Sequence, residues 1–192
     1  MKSIKGTRTA ENLLRAFAGE SQARNRYTFY ASVAKKEGFV QVSDVFTKTA
    51  DNEKEHAEQF FYFLNECAGE NIGISADYPV GIKDTLQNLA FAAAGEHEEW
   101  SSAYPEFAAI AQEEGFPEVA DRFRNIASIE KHHEQRYNTL HEKIKSNSIF
   151  QSQFETDWMC SNCGFVHKGL TPPEACPVCI HPKGYFELFK PI

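Results

Sequence analysis

Residues 53–56 read Glu53-Lys54-Glu55-His56, and residues 130–133 read Glu130-Lys131-His132-His133. Each Glu-x-x-His follows an Ala-Gly-Glu triplet, Ala18-Gly19-Glu20 before the first and Ala94-Gly95-Glu96 before the second. The triplets lie 76 positions apart. Further on, the offset is 77: Glu37-Gly38-Phe39 matches Glu114-Gly115-Phe116. In that register Val42, Asp44, Phe46, Ala50, Glu53 and His56 fall on Val119, Asp121, Phe123, Ala127, Glu130 and His133. So many matches in one register describe a duplicated helical hairpin.

The slip of one residue falls between Glu96 and Glu114. An extra residue in a helix is often absorbed as a π-bulge, and Pro105 lies in this stretch. The expectation is a bulge near residues 99–106. Glu99, which stands where the first copy has Ala23, is then a fifth inward carboxylate.

All four segments carry the helical period, with the acids in the middle of apolar stripes. Leu13, Phe17, Glu20, Tyr27 and Ala34 share one stripe, and Phe123, Ile126, Glu130, His133 and Tyr137 another. Thr9 reads as the first N-cap. Gly38 breaks between the first two helices, and Gly69 lies near the end of the second. Residues 70–81, with Pro79, read as the connection between hairpins. Asp84 lies near the start of the third helix, Gly115 ends it, and Pro117 suits the first turn of the fourth. Helices of roughly 25 to 30 residues run about 40 Å.

Carboxylates inside apolar seams are costly unless something neutralises them. Glu and His three residues apart share a helix face. Glu53, His56, Glu130 and His133 therefore converge from two helices, and Glu20 and Glu96 complete the set from the other two. That is the ligand plan of a two-metal carboxylate bundle. Oxygen ligands with imidazole suit iron or manganese. With Glu99, five negative charges face four positive from two divalent ions or six from two trivalent ones, so a two-electron change keeps the site near neutral.

Glu55, Glu58, Glu98, Glu113 and Glu134 read as surface charges. His97 and His132 adjoin ligand candidates but point about 100° away around the helix. His141, His167 and His181 have no comparable support. Tyr27, two turns from Glu20, and Tyr104 are placed either to hydrogen-bond a ligand or to pack in the core.

After about Ser146 the character changes. Cys160-Ser161-Asn162-Cys163 and Cys176-Pro177-Val178-Cys179 are two Cys-x-x-Cys knuckles, twelve residues apart. This is a strong signal for a tetrathiolate centre. Spacing alone does not choose zinc over iron; the accompanying redox-type site favours iron. Short strands are expected around 157–159, 164–167 and 185–189. So small a unit depends on its metal. Cys67 reads as a structural thiol.

These residues resemble the rubrerythrin family over nearly the whole chain. The run from Ala18 to Tyr27, the Ala94-Gly95-Glu96-His97 tetrapeptide, both Glu-x-x-His patterns and the terminal knuckles carry the likeness. The resemblance implies a mainly α fold, a ferritin-like four-helix bundle over residues 1–146. A linker at 147–156 and a rubredoxin-like β-rich module at 157–192 would follow. It implies iron ligands Glu20, Glu53, His56, Glu96, Glu99, Glu130 and His133, with Glu53 and Glu130 bridging, and one Fe held by Cys160, Cys163, Cys176 and Cys179, with Zn as a possible substitute. It implies an exchange of Glu99 for His56 as the redox state changes, roles for Tyr27 and Tyr104 beside the ligands, and a homodimer or higher oligomer in which one chain's thiolate iron approaches the other's di-iron site.

The expected activity is a non-haem peroxidase that reduces hydrogen peroxide to water and protects against oxidative stress. The alternatives are a ferroxidase or iron-handling protein and a zinc-ribbon interaction protein. Net charge is −7. The absence of a basic stripe speaks against nucleic acid, and the lack of a long apolar run against a membrane. Reduced thiols and no signal-peptide pattern point to the cytoplasm. No Gly-x-Gly-x-x-Gly loop is present, so electrons are expected from an external donor, a rubredoxin or an NAD(P)H-dependent reductase.

Overall fold

The computed structural model describes residues 2–189; Met1 and residues 190–192, which the expected bundle and module include, lie outside the described residues. The chain forms α1 (Arg8–Lys36), α2 (Val40–Phe63), α3 (Thr85–Glu98), a π-turn (Glu99–Ala103), α4 (Tyr104–Glu113) and α5 (Pro117–Lys145). Strands β1 (Thr156–Cys160), β2 (Val166–Gly169) and β3 (Phe186–Leu188) follow, in the sheet order β2-β1-β3. α1 and α2 pack as one hairpin, and α3, α4 and α5 as the other. Among the described residues, no helix is long and apolar enough to cross a membrane.

The extra residue is taken up as expected, by the π-turn, where the Tyr104 N–H reaches back to the Glu99 carbonyl. Pro105 follows in the first turn of α4, where its missing N–H costs least. The helix starts differ in detail from expectation. Thr7, not Thr9, caps α1: its Oγ1 accepts from the Ala10 N–H at 3.1 Å. Thr9 lies one turn inside, and its Oγ1 donates to Glu114 Oε2 at 2.6 Å, which ties the start of α1 to the end of α4. Asp84 caps α3 through the Gln87 N–H. Gly38 and Gly115 take left-handed conformations at equivalent turns (φ 83° and 82°), which only glycine adopts without strain. Gly69 also has positive φ, but α2 stops earlier, at Phe63, and a 3₁₀ turn over Asn65–Cys67 buries Cys67.

Two aromatic-rich cores sit above and below the middle of the bundle. Phe60, Tyr104 and Phe123 belong to one; Tyr27, Tyr30, Phe46 and Tyr137 belong to the other. Between these layers lie the acids. The third core, Trp158, Cys160, Cys176 and Phe186, belongs to the small sheet. That sheet begins one residue sooner than expected at β1. β2 starts at Val166 rather than residue 164, because Gly164 (φ 77°) is spent in the knuckle turn. Residues 183–185 form a 3₁₀ turn ahead of β3. Gly184 of that turn presses on the backbone of Gly38, and a Cβ there would collide with the Gly38 carbonyl.

Candidate metal centres

Four helices deliver the acids to one level of the bundle. Glu20, Glu53, His56 and Glu130 form one set whose ligand atoms all lie within 4.8 Å of one another. Glu53, Glu96, Glu130 and His133 form a second set at the same spacing. Glu53 and Glu130 belong to both. All six residues are buried.

His56 Nδ1 lies 2.9 Å from Glu53 Oε2 and 2.9 Å from Glu130 Oε1. His133 Nδ1 lies 3.2 Å from Glu53 Oε1 and 2.7 Å from Glu130 Oε2. Each imidazole nitrogen thus faces both shared glutamates, although it has at most one proton to give. Neither nitrogen makes a well-formed hydrogen bond, nor does either oxygen of Glu53 or Glu130, nor Oε2 of Glu20 or Glu96. Buried polar atoms are normally satisfied. A convergent group of orphans is what a pair of cations would satisfy, so the donor set fits two oxygen-loving metal ions.

The remaining oxygens are held crosswise. Tyr104, on the second hairpin, donates to Glu20 Oε1 on the first at 2.5 Å. Tyr27, on the first, donates to Glu96 Oε1 on the second at 2.7 Å. Both tyrosines are fully buried, and both choices left open by the sequence are realised at once: the rings pack in the cores while the hydroxyls orient a carboxylate.

Burial, reinforced by Glu99, Glu130 and Glu53, pushes the Glu20 carboxyl well above its usual range. Burial and Glu53 lift Glu96 to about 8. Glu130 is also penalised by burial, but His133 and His56 outweigh this and hold it at about 2. Burial lowers the imidazoles, yet Glu130 and Glu53 hold His56 at about 9, and with Glu96 they hold His133 at about 12. Without cations, protons on the histidines and on some carboxyls balance the charge.

Glu99 stands apart from the two sets. It is half-buried in the π-turn, and its Oε1 lies 3.9 Å from where a Gly19 Cβ would be. It lines a cavity between α1 and α3 beneath the segment 75–80. Burial and Glu96 raise its carboxyl well above the usual range. Of the acids expected at the surface, Glu55, Glu58, Glu98 and Glu113 are exposed. Glu134 is not free: it accepts from Trp100 Nε1 at 2.5 Å and faces His97 Nδ1 at 3.2 Å. This pairing between α5 and the π-turn has no signature in either segment alone.

In the small sheet, Cys160 and Cys179 Sγ are 3.7 Å apart, and Cys163 and Cys176 Sγ 3.6 Å. All four sulfurs lie within 4.8 Å of one another, and none is in a disulfide. The two knuckles repeat one hydrogen-bond plan. Cys160 N–H donates to Phe165 O and Gly164 N–H to Cys160 O, while Cys176 N–H donates to His181 O and Ile180 N–H to Cys176 O. Gly164 and Ile180 occupy the same left-handed position, at φ 77° and 61°. The His181 N–H holds the Cys179 thiol down at about 6.

A bundle of duplicated hairpins with two carboxylate–histidine sets at its centre, followed by a four-cysteine sheet module, defines a ferritin-like metalloprotein with a rubredoxin-like appendage. Residues 11–141 match the family described as rubrerythrin, and residues 158–187 match the rubrerythrin rubredoxin-like domain. Rubrerythrin-1 of Clostridium acetobutylicum is 54% identical over 192 residues, covering 99% of this chain and 98% of its own. Rubrerythrin of Nitratidesulfovibrio vulgaris is 52% identical over 189 residues, covering 98% and 97%. A solved structure of nigerythrin superimposes with a TM-score of 0.65 at 31% identity, over 98% of this chain and 89% of that one. The chain belongs to the rubrerythrin family. It accordingly combines a carboxylate–histidine di-iron site with a rubredoxin-like four-cysteine site.

Proposed function

We propose that the protein is an oxidoreductase, a non-haem peroxidase that reduces hydrogen peroxide to water at the bundle site with electrons passed through the tetrathiolate centre. The observation that carries this reading is the pair of buried acid–histidine sets sharing Glu53 and Glu130, in the same chain as four converging thiols. When bound, the two irons supply electrons and Lewis acidity.

In this reading Glu20, Glu53, His56, Glu96, Glu99, Glu130 and His133 would hold the two irons, with Glu53 and Glu130 common to both sets. Tyr104 and Tyr27 fix one oxygen each of Glu20 and Glu96, leaving the other oxygen to face inward. The aromatic layers above and below keep bulk water out. Glu99, at the cavity wall and outside the two four-residue sets, would hold a proton whenever it does not hold iron. Reduction of one H2O2 to two waters takes up two protons and two electrons.

The thiolate module rests against Gly38, just beyond the end of α1, which runs about 24 Å from Glu20 to Lys36 at helical rise. A module that far from its own bundle site serves another copy's site better, which supports a homodimer or higher homo-oligomer. Rubredoxin or an NAD(P)H-dependent reductase is the proposed external donor, the cytoplasm the proposed setting, and 147–156 the proposed linker between the two units.

The test is anaerobic. Fully reduced, iron-loaded protein receives stoichiometric H2O2 while the ferric–thiolate absorption and the remaining peroxide are followed. Rapid reoxidation of both centres, with about one H2O2 lost per two electrons, is the expected result. Slow reaction with peroxide but fast reaction with O2, with the thiolate centre left reduced, would replace the peroxidase by a ferroxidase.

A further inference from the structure

The cavity beneath segment 75–80 measures about 790 Å³. A water occupies about 30 Å³ in the liquid, and hydrogen peroxide is little larger. The space instead has the size of a site for an organic molecule. Tyr30, Phe91 and Phe107 give it apolar walls.

One group in its lining is out of keeping with an empty apolar space. Arg26 is only 9% exposed, and its Nη1 has no hydrogen-bond partner. Its Nε donates to Gln22 Oε1 at 2.5 Å, and Nη2 lies 3.8 Å from the Cβ position of Gly95. Among the described residues, Arg26 takes part in no ion pair with a carboxylate within 4.0 Å. The guanidinium also lies over the Tyr27 ring, 5.6 Å from its centroid, but no carboxylate neutralises its charge, and its planar fork suits one. The other acids of the cavity do not fill this role. Asp77 and Glu98 are exposed, and water screens them. Glu99 lies against Gly19, about 10 Å along α1 from Arg26.

We propose that this cavity binds a medium-chain organic carboxylate. Its head group sits on Arg26, and its chain runs past Phe91 toward Glu99 and Tyr104. This goes beyond the peroxidase reading and does not depend on it. If both hold, the bound chain occupies the approach to Glu99 and slows peroxide consumption.

The probe is decanoate, titrated calorimetrically into the full-length, metal-loaded protein, with 1-decanol as the uncharged control. The expected result is one saturable site per chain with a dissociation constant below about 1 mM, and decanol at least about tenfold weaker. Arg26→Gln should weaken decanoate binding about tenfold or more with helix content and metal content unchanged. The proposal is overturned if the wild-type protein shows no saturable decanoate binding, if decanol binds as tightly, or if a folded, metal-replete Arg26→Gln protein binds decanoate like the wild type. The decanoate-to-decanol ratio needs no variant, so it decides the matter even if Arg26→Gln fails to fold. Failure of the peroxide assay with decanoate binding intact would remove the peroxidase reading and leave the cavity ligand standing.

Discussion

The bundle centre and the thiolate centre both gather buried ligands around a metal-sized space, yet they rest on different foundations. Around the acids stand two full aromatic cores, carried on helices of up to 29 residues and sealed at both ends. Around the thiols stands a core of four buried residues, and two of them, Cys160 and Cys176, belong to the four-thiol cluster itself. Take the cations from the bundle and protons take their place, because without metal Glu130 and Glu53 hold the His56 and His133 imidazoles above their usual range. Take the cation from the module and half of its core loses its reason to converge. The bundle therefore sets its site between cores that do not include the ligand candidates, whereas the module's site is part of its core.

The sharpest way to break this contrast is to remove one thiolate. Cys176→Ser should unfold the module outright, since structural metal sites in small domains contribute on the order of 10 kcal/mol of folding free energy. Hydrogen exchange should show β1 and β2 losing protection while α1 and α5 keep theirs. A module that stays protected without its metal would end the distinction.

Next in size is the pH response of the metal-free bundle. The folded-state values of His56 and Glu96, about 9 and about 8, exceed their unfolded values, and Glu20 and Glu99 shift the same way. Folded protein thus holds more protons, and the stability these groups confer is full below their unfolded values and lost as pH rises through the folded ones. Glu130, at about 2, acts oppositely, and its contribution is lost only as pH falls below its usual range. The melting temperature of metal-free protein should fall by on the order of 10 °C between about pH 5 and pH 9. Metal-loaded protein should not follow, because its ligands need no protons. Calorimetric scans of both forms across this range check the divergence.

Smaller effects sharpen the comparison within each centre. Tyr104→Phe and Tyr27→Phe should each lower metal affinity or peroxide turnover about ten- to a hundred-fold, the usual consequence of losing a partner that orients a ligand. Metal titration and steady-state assays separate the two. Glu99→Ala should cut turnover without loss of helix content, and unchanged turnover would remove Glu99 from the mechanism. In the module, Ile180→Gly should stabilise by about 1 kcal/mol, since a β-branched residue there holds a left-handed conformation that glycine takes freely. A shift in the denaturant midpoint of metal-loaded protein measures it.

Much of this was legible before any coordinates. The acids announce themselves because a glutamate in an apolar stripe has few innocent explanations, and the repeat doubles the signal. The π-turn follows from arithmetic on the two offsets, and the four thiols from their spacing. The rest depends on contacts between segments far apart in the chain. Thr9 looks like a cap until Glu114 is brought to it across the bundle. Glu134 looks like a surface charge until Trp100 folds over it. Arg26 looks like one more basic residue on a helix, and only the packing of α1 against α3 reveals that its Nη1 has no partner. Residues 70–81 read as a plain connection, yet segment 75–80 lies over a cavity large enough for an organic ligand.

The π-turn gives the molecule an orientation. Two equal hairpins facing each other would make a centre with interchangeable halves, open to a reactant from either side or from neither. One surplus residue at Glu99–Ala103 puts a carboxylate on one wall, where the other copy has the buried methyl of Ala23. A duplication supplies matched parts, and a single later misfit turns them into a front and a back.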